Sequence, residues 1–216
     1  MSFETVLFSK GDDGIARVSL NRPKVRNAFS QQMQGELREV WRDIRYDNDV
    51  RCVILSAEGD HFCTGIDRAE AMSEENTDAM ARGEYPGYPT PWMYDDPGRD
   101  IGPKMRDCWK PVVAAVQGQA CAGAFYLLGE VEFIIASDDA TFFDPHVTHG
   151  MTAAFEPMQL LKKMPFQEVM RMMLEVSRSQ AIELANLYTR IGNDAAAFKE
   201  AQTAFESGKR PEWRIR

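Results

Sequence analysis

The stretch KPVVAAVQGQACAGAFYLLGEVEFIIAS, residues 110–137, decides the fold class. Its first part, KPVVAAVQG, is an apolar run that ends at Gly118 and predicts a buried strand, and its last part, VEFIIAS, predicts another. Between them, QACAGAFYLLGE predicts a small-residue turn that leads into a short helix. A strand, a helix and a strand in this order indicate an α/β protein with a core of parallel strands and helices outside.

Comparable signals occur on both sides of this stretch. The segments TVLFSK, GDDG and IARVSL (residues 5–20) predict a β-hairpin at one edge of the sheet, with Gly11 and Gly14 in the turn. VRCVILS (50–56) predicts a further buried strand, and ATFFD (140–144) predicts a fourth. Ser30 is expected to cap a helix that packs one apolar face on the sheet. That face consists of Met33, Leu37, Val40, Trp41 and Ile44.

The two remaining regions differ from this pattern. Residues 73–102 predict an acidic helix and then a long loop, whose Tyr88, Trp92 and Tyr94 could cover an acyl chain or pack in a subunit contact. From Ala153 onward the periodicity is helical. We therefore divide the chain into a core, residues 1–152, and a helical C-terminal region, residues 153–216.

Composition excludes several classes of protein. A chain of 216 residues with 44% apolar and 27% charged residues is suited to one ordinary globular domain. Its net charge of -8 argues against nucleic-acid binding, which needs clustered Lys and Arg. Four dispersed cysteines indicate free thiols rather than a zinc site or a disulfide framework. Because we find neither a signal-peptide pattern nor a membrane-spanning apolar run, we expect a cytoplasmic protein without a membrane partner.

Two segments share one design that is suited to binding an anion. HFCTGID (61–67) and QACAGAF (119–125) each place small residues where an apolar strand turns into a helix. Backbone N–H groups at such turns are unpaired, and glycine lets a ligand oxygen approach them. Two such turns facing each other would form an oxyanion hole. Taken singly, Gly65 and Gly123 could instead serve only tight turns and close helix packing.

Taken together with NRPKVRNAFS and ASDDATFFDP, these segments resemble the ordered motifs of the crotonase superfamily, which contains the enoyl-CoA hydratases and isomerases. The resemblance covers roughly residues 5–173, with a further match in the tail EAQTAFESGKRPEW. It implies a crotonase (ClpP-like) spiral of repeated ββα units with a helical C-terminal region. It also implies an acyl-CoA substrate with no bound cofactor, and a homotrimer or dimer of trimers. Phe198, Ala201 and Phe205 of the tail could serve that subunit contact or pack within their own subunit.

One departure from the family lies between residues 174 and 175. Family members carry about 50 more residues there, enough for a strand-like segment and a helix. Either the chain has lost that part, or the sequence closes over a stretch that it does not include. We favour the second, because the flanks MRMML and EVSRSQA both have helical patterns.

The resemblance also implies roles for individual residues. The thioester carbonyl oxygen would accept hydrogen bonds from the backbone N–H groups of Thr64 and Gly123. Basic residues near the phosphates of coenzyme A correspond to Arg22, Lys24 and Arg26, although these could equally form a solvated basic turn. The turn around His61, Phe62 and Gly65 would line the adenine and pantetheine side, with Asp67 tying down the loop.

Catalysis is where this sequence differs most from the family. Hydratases of the family use two glutamates, and Tyr126 and His146 occupy those positions here. A tyrosine, with a pKa of about 10, is a poor base at neutral pH, whereas a histidine can serve as acid or base. We take a dyad of His146 and Glu156 as the working pair, because a carboxylate commonly fixes a catalytic imidazole. Asp144 is the second candidate, since alternate residues of a strand share one face.

Alternatives to this assignment remain open. His146 could be a structural histidine, and His149 is expected to be structural or on the surface. A metal site of Asp144, His146 and His149 is not expected, because three ligands on one extended segment converge poorly. The favoured function is an acyl-CoA enzyme of the enoyl-CoA hydratase/isomerase type. Its missing glutamates favour isomerisation, or hydrolysis of a C–C or thioester bond, over simple hydration, and a non-catalytic acyl-CoA-binding protein is the alternative.

Overall fold

The computed structural model describes residues 3–71, 73–82, 98–146 and 155–174, and it confirms the α/β class. Two sheets are present in these residues. Their strands are β1 (Val6–Lys10), β2 (Ile15–Leu20), β3 (Cys52–Ala57), β4 (Val112–Val116), β5 (Gln119–Cys121), β6 (Phe133–Ala136) and β7 (Thr141–Phe143). The five-stranded sheet has the order β1-β2-β3-β4-β6, and the two-stranded sheet pairs β5 with β7.

Helices follow the strands along the chain. They are α1 (Gln31–Tyr46), α2 (Arg68–Ala71), α3 (Glu74–Ala81), α4 (Gly98–Ile101), α5 (Ala124–Leu128), α6 (Phe155–Met158) and α7 (Phe166–Leu174). In the described ranges, three short 3-10 helices cover Pro23–Val25, Lys104–Arg106 and Gln159–Lys162. No helix in the ranges that the structure describes is long and apolar enough to cross a membrane.

The predicted hairpin and the predicted sheet are confirmed. β1 runs antiparallel to β2 at the edge of the large sheet, and Gly14 takes a positive φ of 76° in the connecting turn. β2, β3, β4 and β6 are mutually parallel, which is the arrangement that the apolar strand patterns predicted.

The predicted α1 helix is confirmed in its start and in its buried face. The Ser30 side chain accepts a hydrogen bond of 3.1 Å from the Met33 amide, as an N-cap residue should. All five apolar side chains predicted for the buried face have no exposed surface. Trp41 also satisfies its indole N–H inside the core, where it donates to the Ile101 carbonyl over 2.7 Å.

Two strand predictions need correction. QAC of residues 119–121 is not part of a turn but forms β5, because it pairs with β7 in the small sheet. β6 is a strand as predicted, yet it is not buried: Phe133 is 69% exposed and Ile135 is 66% exposed. β6 lies at the end of the strand order among the described residues, so its outer edge lacks a neighbouring strand there. The apolar composition of this segment therefore predicted the strand correctly, but its prediction that the strand is buried was wrong.

Over residues 155–174, the helical pattern predicted after residue 153 is confirmed by α6, the 3-10 helix Gln159–Lys162 and α7. The aromatic residues of the long loop, His149, the tail and the junction at 174/175 lie outside the described residues. The division of the chain at residue 152 stays a prediction.

Candidate functional site

The turns that follow Cys63 and Cys121 lie against each other. Cys63 donates its amide to the Gln119 carbonyl over 3.1 Å, and its own carbonyl accepts from the Cys121 amide over 3.0 Å. Gly65 has a positive φ of 88°, a conformation that suits glycine. A Cβ atom on Gly65 would stand 3.0 Å from the backbone nitrogen of Gly123. The structure thus brings together the two turns that the sequence singled out.

Several amides of these turns have no hydrogen-bond acceptor in the part of the chain that the structure describes. Among the hydrogen bonds of the described ranges, the N–H groups of Thr64 and Gly123 have no acceptor. The same holds for Ile66, whose parallel bridge to Phe29 uses the Gly65 carbonyl and the Asp67 amide instead. The first turn therefore offers two candidate donors, of which the sequence identified only Thr64. The pairing of residue 66 with residue 29 has no local sequence signal that could have identified the other.

Three titratable side chains converge at the end of β7. His146 Nδ1 lies 2.7 Å from Asp144 Oδ1, which also accepts a hydrogen bond of 2.8 Å from the His146 amide. On the other side of the imidazole, Nε2 lies 3.5 Å from Glu156 Oε1. The Asp144 side chain has no exposed surface, whereas the His146 side chain is 18% exposed. Both carboxylates considered from the sequence thus contact His146, and Asp144 is the closer one.

The electrostatics of this group favour a protonated imidazole. The hydrogen bond that His146 donates to Asp144 raises the pKa of His146, burial opposes this effect, and the charge of Glu156 adds to it. The second oxygen of Asp144, Oδ2, is buried and has no hydrogen-bond partner among the described residues. A carboxylate on Nδ1 holds the tautomer in which Nε2 is left to exchange a proton.

The buried cysteines beside the site are not nucleophiles. Burial raises the pKa of both Cys63 and Cys121 to about 12, and for Cys121 the neighbouring Cys63 and Asp144 act in the same direction. Both thiols are therefore protonated near neutral pH and act as small apolar groups of the core.

Tyr126 lies on α5, and its side chain is buried. A Cβ atom on Gly98 would overlap the Tyr126 ring, so α4 passes directly over it. α5 also packs against α6, the helix that carries Glu156. The structure thus places Tyr126 at the interface of α4 and α5, and its predicted catalytic role stays a prediction.

Arg22 and Asp67 hold the first turn in place. Arg22 Nη2 forms an ion pair of 2.8 Å with Asp67 Oδ2, and its Nη1 donates to the Ala28 carbonyl. Asp67 Oδ1 accepts from the Ala69 and Glu70 amides at the start of α2. Burial alone would raise the pKa of Asp67, but these bonds hold it below its usual range. These contacts fix the loop around Asp67 and commit Arg22 to the same loop, and the part of either residue in binding coenzyme A stays a prediction.

The other predicted coenzyme-binding residues differ in exposure. Lys24 and Arg26 are exposed, and Arg26 donates to the Gln119 side chain over 3.2 Å. His61 uses Nδ1 to accept the Gln119 amide over 3.2 Å. Phe62 is entirely buried in the hydrophobic core, so any ligand contact at this position would involve its backbone. No group of three His, Cys, Asp or Glu side chains within the described ranges could hold a metal ion.

Comparison with protein families gives a match over most of the chain. The profile of the family described as Enoyl-CoA hydratase/isomerase matches residues 10–187. Enoyl-CoA hydratase EchA19 of Mycobacterium tuberculosis is 34% identical over 126 residues, which are 58% of this chain and 44% of that protein. The (E)-benzylidenesuccinyl-CoA hydratase of Thauera aromatica is 32% identical over 162 residues, or 74% of this chain and 58% of that protein. The chain thus spans about half the length of these relatives.

Solved structures show the same fold. An enoyl-CoA hydratase/isomerase from Mycobacterium paratuberculosis superposes with a TM-score of 0.66 at 24% identity, covering 100% of both chains. Pseudomonas aeruginosa AtuE superposes with a TM-score of 0.64 at 28% identity, covering 81% of this chain and 64% of its own. The crotonase fold expected from the motifs is confirmed by these similarities.

Proposed function

The chain belongs to the enoyl-CoA hydratase/isomerase family, and we propose that it holds a CoA thioester against its two turns and moves a proton with His146. The main observation in support of this proposal is the register of the small sheet. Cys121 of β5 pairs with Phe143 of β7, so Gly123 and His146 both follow the carboxyl ends of two paired parallel strands. The proposal is supported by this arrangement, because the Gly123 turn and a titratable imidazole follow neighbouring strands at the same end of one sheet.

Chemistry at the carbonyl needs donors aimed at the developing negative charge. The amide of Gly123 and one amide of the Gly65 turn, Thr64 or Ile66, would supply two such donors. Each donor of this kind is worth about 3 kcal/mol of transition-state stabilisation. Polarising the thioester carbonyl acidifies the neighbouring carbon, so that a base of moderate strength can remove a proton from it.

His146 is the candidate base for that step. Asp144 would hold the imidazole through Nδ1, so Nε2 takes the proton and the resulting imidazolium is stabilised by Asp144. Glu156, 3.5 Å from Nε2, could receive the proton in turn or return it at another carbon. The coupled group would then titrate as one unit.

The residues present favour isomerisation over hydration. Hydration uses a base that activates water at one carbon of the double bond and an acid that protonates the other carbon, and the position of one family glutamate holds Tyr126 here. Isomerisation needs one base that removes a proton and returns it elsewhere, which His146 can do. Among the relatives, a mitochondrial Delta(3,5)-Delta(2,4)-dienoyl-CoA isomerase of Mus musculus is 29% identical over 172 residues.

The test is to incubate the protein with straight, branched and aromatic enoyl- and dienoyl-CoA thioesters and to separate the products by chromatography with mass detection. We expect a product of unchanged mass and altered retention, and we expect His146→Gln to abolish it while thioester binding is retained. Gain of water would identify a hydratase, and cleavage would identify a hydrolase. Binding with no product from any thioester would instead support a non-catalytic acyl-CoA-binding protein.

The assembly state and the compartment are part of the same proposal. A homotrimer or dimer of trimers and a cytoplasmic location follow from the family resemblance and from the sequence pattern. Light scattering coupled to size-exclusion chromatography would measure the number of subunits, and a monomer at working concentration would contradict the trimer.

A further inference from the structure

Phe29 contacts the first turn through its backbone. Its amide donates to the Gly65 carbonyl over 2.8 Å, and its carbonyl accepts from the Asp67 amide over 3.0 Å. These two bonds form an isolated parallel bridge between Phe29 and Ile66. The bridge uses the Gly65 carbonyl and the Asp67 amide, which lie on either side of Ile66. It therefore fixes the direction in which the Ile66 amide points.

Phe29 contacts the second turn through its ring. A Cβ atom on Gly123 would overlap the ring, so the ring lies directly on the Gly123 backbone. The same Cβ atom would lie 3.2 Å from Gly65 Cα. Phe29 itself is only 3% exposed, so its ring is enclosed and has little freedom to move. One residue therefore holds both turns, the first by hydrogen bonds and the second by packing.

The chain leading to Phe29 is itself fixed by Asn27. This buried residue has a positive φ of 54°, which asparagine tolerates better than most residues. Its side-chain Oδ1 accepts from the Arg22 amide over 2.7 Å, and its Nδ2 donates to the Glu58 and His61 carbonyls, each over 2.8 Å. Asn27 thereby joins the segments of Arg22, Glu58 and His61 two residues before Phe29. The backbone is thus held both before Phe29 and at Phe29 itself, and this determines where its ring lies.

We propose that Phe29 is a positioning residue that sets the separation between the amide donors of the Gly65 and Gly123 turns. This rests on the proposed function, in which those amides bind the thioester oxygen. Donors at such sites act over about 2.7–3.1 Å, and a displacement of about 1 Å can cost about a hundredfold in rate. A ring that cannot compress is suited to holding two loops at such a separation.

The proposal is tested by measuring carbonyl polarisation directly. Butanoyl-CoA, isotopically labelled at its carbonyl carbon, has no double bond to hydrate or isomerise. Difference infrared spectroscopy reports how far its carbonyl band moves to lower frequency on binding. Phe29→Leu is expected to lose at least half of that displacement and to lower kcat about tenfold, with KM within about twofold of its starting value.

A matched core variant separates positioning from stability. Val18→Ala removes buried apolar volume from β2, which carries neither turn, and it is expected to destabilise the fold while keeping the full band displacement. If Phe29→Leu also keeps the full displacement, Phe29 is only a core residue and the inference is overturned. If the unaltered protein binds butanoyl-CoA with no displacement at all, the proposed function itself is wrong. The two failures are therefore distinguishable.

A second pair of variants covers the case in which Phe29→Leu folds poorly. Gly123→Ala places a methyl group where the ring stands, so alone it should force the turns apart and reduce the band displacement. Combined with Phe29→Leu, the methyl group fills part of the vacated space, and the double variant should regain displacement relative to Gly123→Ala. If the losses of band displacement in the two single variants simply add in the double variant, contact between the Phe29 ring and the Gly123 turn does not set the spacing of the turns.

Discussion

His146 Nδ1 lies 2.7 Å from Oδ1 of Asp144, a carboxylate with no exposed side-chain surface. Asp144 Oδ1 also accepts a hydrogen bond from the His146 amide. Because the two residues are only two positions apart, this local turn aligns the carboxylate with the imidazole without help from a distant element. Glu156 approaches the opposite nitrogen of the ring from α6. The imidazole therefore lies between two carboxylates, and this arrangement determines how its charge responds to pH.

The first prediction concerns the pH dependence of turnover. The Asp144 hydrogen bond raises the pKa of His146 above its ordinary value of 6.5. A base works only when it is deprotonated, so kcat/KM should decrease on the acidic side. The midpoint of this acidic limb should lie above pH 6.5. Asp144→Asn should move the limb to lower pH, and Glu156→Gln should move it less in the same direction. An identical limb in all three proteins, measured on one thioester, would remove His146 from the proton transfer.

The second prediction concerns the free energy of unfolding. The folded pKa of His146 is raised, so its protonated form contributes stability that is complete below the unfolded pKa and is lost as pH rises through the folded pKa. His146→Gln should therefore cost more stability at about pH 5.5 than at about pH 8.5. Urea unfolding at both pH values measures the difference. A cost that is larger at the higher pH would contradict the sign of the pKa change.

The third prediction separates coenzyme binding from loop structure. Lys24 is exposed, whereas Arg22 is committed to Asp67 and the Ala28 carbonyl. Lys24→Ala should weaken binding of coenzyme A, with an effect that shrinks as salt is added, and should leave the melting temperature unchanged. Arg22→Ala should instead lower the melting temperature, since it leaves Asp67 largely buried without its partner. Titration calorimetry and thermal unfolding of both variants would show the opposite pattern if the assignments were reversed.

Some parts of the site could be read from the sequence and others could not, for physical reasons. The buried face of α1 was predictable because a helix repeats its contacts every 3.6 residues. Asp144 and His146 were predictable as neighbours because they are only two residues apart, but they lie beyond the end of β7 and meet through a local turn, in which Asp144 Oδ1 accepts the His146 amide, and not across one strand face. The bridge between Phe29 and Ile66 was not predictable, since it pairs two irregular segments that no periodicity connects. The exposure of β6 was missed because apolar composition does not specify what packs on a strand.

The last prediction tests whether contact between the two turns matters for activity. Gly65 combines a positive φ of 88° with a Cβ position 2.9 Å from the Ala122 Cβ and 3.0 Å from the Gly123 nitrogen. Gly65→Ala should therefore cost about 1–3 kcal/mol of stability from backbone strain. It should also reduce turnover at least about tenfold, because the added methyl group pushes against the Gly123 amide.

The matched control for this change is Gly35→Ala in the second turn of α1. Among the described residues, the new Cβ atom would meet only Arg38 Nη2 at 3.8 Å, so alanine fits and should stabilise the helix by about 0.5–1 kcal/mol. Thermal unfolding and turnover are measured on both variants. Since Gly65→Ala is expected to be destabilising, turnover is compared at a temperature where both variants are folded. Equal turnover in the two variants under that condition would show that the spacing of the turns does not govern the reaction.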